Sequence, residues 1–282
     1  VKEIYTAVEK TFLSIPENFR DWATVRIAEY FLQLGPGHGF KTNKGRRWGK
    51  KIMDYWYQGK VTLFSEFAEG MFDGFHFNFY GLDNLSTDGA EILVVNEPST
   101  GPIRGNWIMF LINFAIAEQR RREGNYEARW VQREISDNLI FQITPLGIQK
   151  RHLSQMICKS CNTILVDPCS SPRENLKAVL EMRQHLQDDG VLIICPEGKN
   201  HRVLGRGKKE AGELVLMLVR KVKVPVRPVG VWDEGDDLNL RFGEIINLDS
   251  LTGSGQRVAD LATTEIAKLL PPERRGVYQK AV

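Results

Sequence analysis

Two short polar stretches carry the residue types that chemistry needs. The first is Val95-Asn-Glu-Pro-Ser-Thr-Gly-Pro102, which follows the apolar run Ile92 to Val95 and precedes the apolar run Trp107 to Ala117. The second is Ile194-Cys-Pro-Glu-Gly-Lys-Asn200, followed by His201, Arg202, Arg206, Lys208 and Lys209. A strand that ends in a turn and feeds a helix is where α/β proteins gather backbone N–H groups and reactive side chains. Glu97 is the candidate proton acceptor. Its ordinary pKa of about 4.3 makes it a weaker base than histidine unless burial raises it. His201 is the nearest imidazole in sequence to Glu197, and a pairing of Glu97 with His201 across two strand ends is the candidate for a base with a partner. Asn96, Ser99, Glu197, Gly198, Lys199, Arg202, Lys208 and Lys209 are the candidate ligand-binding residues, the lysines offering phosphate a point charge without the bidentate fork of arginine. The plain alternative is an ordinary strand-to-helix connection beside a solvated basic loop.

These stretches need elements to hold them. Phe75-His-Phe-Asn-Phe-Tyr80 alternates large apolar and polar residues, as a strand with one buried face does, and His76 reads as a strand residue rather than a ligand. Trp107 to Ala117 is apolar all round apart from Asn113, which predicts a buried helix, with a membrane-interface or acyl-tunnel wall as the alternative. Arg120-Arg-Arg122 after it suits a helix C-terminus or an anionic headgroup. Tyr126 to Gln132 and Thr163 to Val166 read as strands, the latter ending at Asp167-Pro168. Ser171-Pro-Arg-Glu174 opens a helix whose apolar face is read as Leu176, Val179, Leu180 and Leu186, and Gly190 ends it. Val191 to Cys195 is a continuous apolar run of the kind found in parallel strands buried on both faces. Val258, Leu261, Ile266 and Leu269 mark a last helix, stopped by Pro271-Pro272. Helix and strand in alternation predict an α/β fold with a mixed, largely parallel sheet flanked by helices. Residues 1–73 read as an N-terminal helical subdomain, with Leu63, Phe64, Phe67 and Met71 on one helix face. Residues 74–250 read as the α/β domain, and residues 251–282 as a C-terminal helix and tail.

Taken in order, Val95 to Pro102, Ile164-Leu-Val-Asp-Pro168, Ile194 to Asn200 and Val224-Pro-Val-Arg-Pro-Val229, with Arg241-Phe-Gly-Glu244 after them, resemble the glycerolipid acyltransferase family (lysophosphatidate acyltransferase-like). The resemblance implies an acyltransferase-like α/β domain. It implies transfer of an acyl group from acyl-CoA or an acyl carrier protein to a lipid-like or glycerol-phosphate acceptor, in phospholipid biosynthesis, with no bound cofactor. The family's catalytic His falls on Glu97 and its partner Asp on Pro102, so the expected dyad is substituted. The family's acceptor-binding Arg positions fall on Pro168 and Asn200. The expectation is therefore a divergent acyltransferase. The alternative is a catalytically inactive relative that binds an acyl chain, an anionic lipid or a protein partner.

Bulk properties narrow the classes. The chain has 282 residues, 42% hydrophobic, with a net charge of +3. No run of about 20 apolar residues is present, and Val1 to Tyr5 lacks signal-peptide character. The expected location is cytoplasmic, with peripheral contact on the inner face of a membrane as the alternative. The four cysteines include Cys158-Lys-Ser-Cys161, half of a zinc knuckle without its second half, so no metal is expected. Lys41 to Lys51 holds Lys41, Lys44, Arg46, Arg47, Lys50 and Lys51 around Trp48, a solvated stretch or a docking surface for anionic lipid. Without a nucleic-acid-binding module, no nucleic acid is expected. A Gly-x-Ser-x-Gly elbow is absent, which argues against an α/β hydrolase.

Overall fold

The structure, a computed structural model, describes residues 40–102, 107–121, 123, 128–133, 160–161, 163–166, 172–198, 201–248 and 254–280. The helices read before residue 40, together with Cys158, Asp167, Pro168, Lys199 and Asn200, lie outside them. The described elements are α1 (Asn43–Tyr57), α2 (Phe64–Met71), β1 (His76–Tyr80), β2 (Glu91–Val95), α3 (Trp107–Gln119), β3 (Arg129–Arg133) and β4 (Ile164–Val166). They continue with α4 (Pro172–Gln187), β5 (Val191–Ile194), α5 (Lys209–Val222), β6 (Val226–Glu234), β7 (Asp237–Phe242) and α6 (Gly255–Leu269). Two short 3₁₀ turns, Pro272–Arg274 and Gly276–Tyr278, follow α6.

The strands form one seven-stranded sheet in the order β1-β7-β6-β2-β5-β3-β4. Neighbours are parallel except β6 and β7, which form a hairpin. The hairpin turns through Gly235-Asp236, with glycine at a φ of 60°, where a two-residue hairpin demands a positive angle. This is the mixed, largely parallel α/β architecture that the alternating pattern predicts.

The central strand explains the layering. All five residues of β2 are buried, and they alternate between two cores. Leu93 and Val95 join the core shared with α1, α2 and α3, whereas Ile92 and Val94 join the core shared with α4, α5 and α6. Two helical layers thus cover the two faces, which is why β2 and β5 read as continuous apolar runs. In α3, Phe110 meets Phe64 and Phe72 edge-on, at centroid distances of 4.8 and 5.6 Å. Its one polar interior residue is satisfied. The Asn113 amide donates to the Met109 carbonyl at 2.9 Å and accepts the Ala128 N–H at 2.6 Å. Arg120 is buried and donates to the carbonyls of Asp189 and Gly89 at 3.1 and 2.5 Å, so it tethers loops rather than facing a headgroup.

One sequence reading needs correction. Leu186 is buried as read, but Leu176 and Leu180 are 56% and 53% exposed, and α4 buries Ala178 and Met182 instead. The apolar residues of this helix occupy more than one face, and the sheet takes the i, i+4 ridge through Met182. His76 is exposed, with its Nδ1 3.1 Å from Asp237 Oδ1, as expected of an edge-strand residue.

The sheet also contains a buried ion pair. Arg227 Nε lies 3.1 Å from Glu91 Oε2, and the two side chains are 5% and 1% exposed. Arg227 also donates to the Gly243 carbonyl at 2.9 Å, and Glu91 accepts the Ser86 N–H at 3.2 Å. Removing one partner strands a buried charge, so Arg227→Met is expected to cost about 3–5 kcal/mol in urea unfolding, whereas Glu91→Leu combined with Arg227→Met recovers much of that loss. Equal loss in the single and double variants would contradict this account.

Candidate functional site

Because β2 and β5 are parallel neighbours, the turns that follow them emerge side by side at one end of the sheet. The pairing continues past the strands. His201 N–H donates to the Glu97 carbonyl at 3.0 Å, Ser99 N–H donates to the His201 carbonyl at 2.9 Å, and Pro98 bridges His201 in parallel sense. The anticipated neighbourhood of Glu97 and His201 is therefore present at the level of the main chain.

Glu197 anchors this corner. It is 1% exposed; one carboxyl oxygen accepts the Glu97 N–H at 3.1 Å and the other accepts the Gly205 N–H at 2.5 Å. Gly205 packs closely against the His201 and Glu197 side chains. A Cβ there would lie 2.9 Å from His201 Nε2 and 3.1 Å from Glu197 Oε1. Glu97, Glu197, His201, Arg202, Trp232 and Arg274 line a small polar cleft.

Burial pushes the Glu97 carboxyl up to about 7. Glu197 is also pushed up to about 7, by burial and by the charge of Glu97, against the pull of the Gly205 and Glu97 N–H groups. Two neighbouring carboxyls of this kind titrate as a pair. The same environment raises the Cys195 thiol, by burial first and then by Glu97 and Glu197, so Cys195 is no thiolate nucleophile at neutral pH.

The other sequence candidates fall into two groups. Asn96 is buried and its amide clasps β6, donating to the Val231 carbonyl at 2.8 Å and accepting the Val231 N–H at 2.7 Å. It borders the cleft while locking two strands. Arg202 is exposed on the cleft wall. Ser99, Gly198, Lys208 and Lys209 lie outside the lining. Gly198 has a φ of 64°, and its missing Cβ leaves space for the Lys208 side chain. Lys209 pairs with Glu213 at 3.3 Å on its own helix. Lys199 lies outside the described residues.

Sequence reading missed three participants. The Thr100 hydroxyl donates to Asp233 Oδ1, in the last residues of β6. Arg274 donates to the Asp233 carbonyl at 2.9 Å, and to Thr100 Oγ1 and the Arg202 carbonyl at 3.4 Å each. The sequence marks residue 274 only as lying past the Pro271-Pro272 helix stop, which gives no hint of a site. Pro102 is buried and offers no side-chain acceptor.

No family model matches the sequence, and no curated protein matches it. Among solved structures, the chain is similar to the 1-acyl-sn-glycerophosphate (LPA) acyltransferase PlsC from Thermotoga maritima, at 16% identity over 95% of each chain and a TM-score of 0.48. A likeness of that strength leaves activity to be argued from the residues themselves. Among the described residues, no group of three or more His, Cys, Asp or Glu is placed to hold a metal ion, and no helix is long and apolar enough to cross a membrane.

The carboxyl pair has a stability consequence. Both groups are raised from an ordinary 4.5 to about 7, so the native state holds protons that the unfolded chain has released between those values. Their contribution is complete below about pH 4.5 and is lost as pH rises through about 7. The difference in unfolding free energy between wild type and Glu97→Gln is expected to change by about 1–3 kcal/mol between pH 5 and 8, with wild type losing ground as pH rises. Urea titrations at each pH measure it. A pH-independent difference would show that Glu97 titrates at its ordinary value.

Proposed function

We propose that this chain transfers an acyl group from a thioester, acyl-CoA or an acyl carrier protein, to a hydroxyl or amine on a lipid-like or glycerol-phosphate acceptor, with Glu97 as general base. The supporting observation is the state of Glu97. It stands just past the end of the central parallel strand, where the resembling family carries its catalytic histidine, and burial gives its carboxyl a pKa of about 7. A base is most useful when its pKa lies near the working pH. In the proposed step, the Glu97 carboxylate takes the proton from the acceptor hydroxyl as that oxygen attacks the thioester carbonyl. The C–O bond forms, the C–S bond breaks, and the proton passes from Glu97 to the departing thiolate. Glu197 is a positioning residue, because it holds the Glu97 main chain.

A specific observation favours the second reading, a non-catalytic relative that binds an acyl chain, an anionic lipid or a protein partner. The family's orienting Asp is Pro102 here, which has no side-chain acceptor, and the Thr100, Asp233 and Arg274 side chains bond to one another.

The membrane contact expected of such a protein has a candidate surface on α1. Its Lys44 and Arg46 lie in the first turn, where the macrodipole disfavours cations and no acid sits, and Arg47, Lys50 and Lys51 follow in the next turns. Lys44 pairs with Asp73 at 2.9 Å and Lys51 lies over the Trp48 ring at 4.3 Å, while Arg46, Arg47 and Lys50 are exposed. Lys41 pairs with Asp236 in the β6–β7 turn, so this end of α1 lies at the same end of the sheet as the cleft.

Two experiments test these readings. Thiol release from long-chain acyl-CoA, with lysophospholipid, glycerol-phosphate and amine acceptors, is expected to be acceptor-dependent and to fall about 10²–10⁴-fold in Glu97→Gln. Its kcat/KM is expected to rise with pH and level off above about 7, the value to which burial pushes Glu97. Release indifferent to Glu97→Gln would move the chemistry to another residue. Folded protein that binds acyl-CoA without releasing thiol would favour the binding reading. In sedimentation with phosphatidylserine-containing vesicles, Gln at Arg46, Arg47 and Lys50 together is expected to weaken binding on the order of 10²-fold, at about 1 kcal/mol per cation. Unchanged sedimentation would exclude this surface.

A further inference from the structure

We propose that β1 is a docking edge for a second copy of this chain, and that the two copies join antiparallel about a two-fold axis through Asn78. β1 ends the sheet with β7 on one side, and among the described residues no main-chain group bonds to its other side. The register says which groups are open. His76 pairs with Asp237, and its N–H donates to the Asp236 carbonyl at 3.0 Å. In a parallel ladder alternate residues serve the same neighbour, so His76, Asn78 and Tyr80 face β7, whereas Phe77 and Phe79 turn their N–H and C=O groups outward. Such a row is a template for another strand, and proteins blunt it with proline, charge, a bulge or shortness. The opposite edge is blunted: β4 has three residues and runs in sequence into Asp167-Pro168. β1 has five residues, with no proline and no Asp, Glu, Lys or Arg among them, and its register is unbroken.

The strand is complementary to itself in one register. With the axis at Asn78, Phe77 lies opposite Phe79 of the second copy and Phe79 opposite Phe77. Each such pair exchanges both of its main-chain hydrogen bonds, so every outward group is satisfied. An axis at Phe77 would set Phe79 against Phe75, whose N–H already donates to the Phe72 carbonyl at 3.0 Å. An axis at Phe79 would set Phe77 against Gly81, which leaves the strand at a φ of 64°. At the axis the two Asn78 side chains meet in a pair without main-chain bonds, where side chains approach closest, and both can donate and accept. His76 falls opposite Tyr80, so no like charges face one another. The axis stands perpendicular to the sheet and puts the α1–α3 layer of both copies on one side. On that side Phe77 and Phe79 are only partly buried, each against Phe114 at centroid distances of 5.8 and 6.1 Å, and they form the apolar part of the seam. Five residues a side are fewer than the 20–30 or so of a standard interface, so the dimer forms reversibly with concentration.

The test is self-association of the full chain. In sedimentation equilibrium, wild type is expected to pass from monomer to dimer as concentration rises. Asn78→Asp and Asn78→Lys each set like charges opposite one another at the axis, and each is expected to weaken the dimer about 5-fold or more. Mixed in equal amounts, the two variants are expected to associate again, which chains that had merely lost their fold would not do. Hydrogen exchange on wild type reads the edge without any substitution. The Phe77 and Phe79 amides are expected to exchange freely in the dilute monomer and to gain protection with concentration, while the Asn78 and Tyr80 amides stay protected throughout. A wild type that remains monomeric, a dimer indifferent to both charges, or charged variants whose mixture fails to associate would overturn the proposal. Protection of the Phe77 and Phe79 amides already in the dilute monomer would overturn it too, because another part of the chain would then hold this edge.

Discussion

Two main-chain N–H groups, one from each of two loops, converge on a single buried carboxyl, and the candidate site depends on that convergence. Glu197 accepts from Glu97 on one side and from Gly205 on the other. A buried carboxyl is costly unless its oxygens are satisfied, and those two donors satisfy one bond on each. The arrangement fixes the path of both loops. It places the first residue after Asn96 against the corner after β5, and it holds the loop from 201 to 205 close against the same carboxyl. The cleft is the space left over when these constraints are met.

Asn96 applies a similar constraint toward the other neighbour of β2. Its amide makes a two-way bond with the Val231 peptide, so the end of β2 is tied to β6 by a side chain where the strand pairing gives out. Glu97 therefore follows a residue clamped to β6 and has its own peptide clamped to the β5 side. Parallel strands make this economical, because neighbouring strands end at the same edge and their turns meet without long connections.

Much of the architecture was legible because burial leaves a one-dimensional trace. Ile92 to Val95 and Val191 to Ile194 are apolar on both faces since helices cover both faces. Trp107 to Ala117 is apolar all round since α3 is packed on most sides. The α4 face misread through Leu176 and Leu180 shows the limit of that trace: where apolar residues populate several faces, the pattern does not say which ridge the sheet will choose. The site was legible only where strand ends mark it. Glu97, Glu197 and His201 could be found that way, but not what each does, because the bonds of Glu197 and Asn96 run to peptides that any sequence carries. Arg274 had no trace, since a residue beyond the last helix reaches the cleft through tertiary packing alone.

The identity of the residue at position 97 then sets how the site must be held. A histidine base is conventionally aimed by a carboxylate partner, and its pKa needs little adjustment to work near neutrality. A glutamate must first be lifted from its ordinary value, and burial supplies that lift here at the expense of stability above neutral pH. Pro102 supplies no side-chain acceptor to aim it. The Glu97 peptide is held by its N–H on Glu197, its carbonyl on the His201 N–H, and the fixed φ of Pro98 immediately after it. Those bonds orient the peptide to which the carboxyl is attached rather than the carboxyl itself. Changes at Glu197 and Gly205 therefore reach the Glu97 carboxyl through the peptide that carries it.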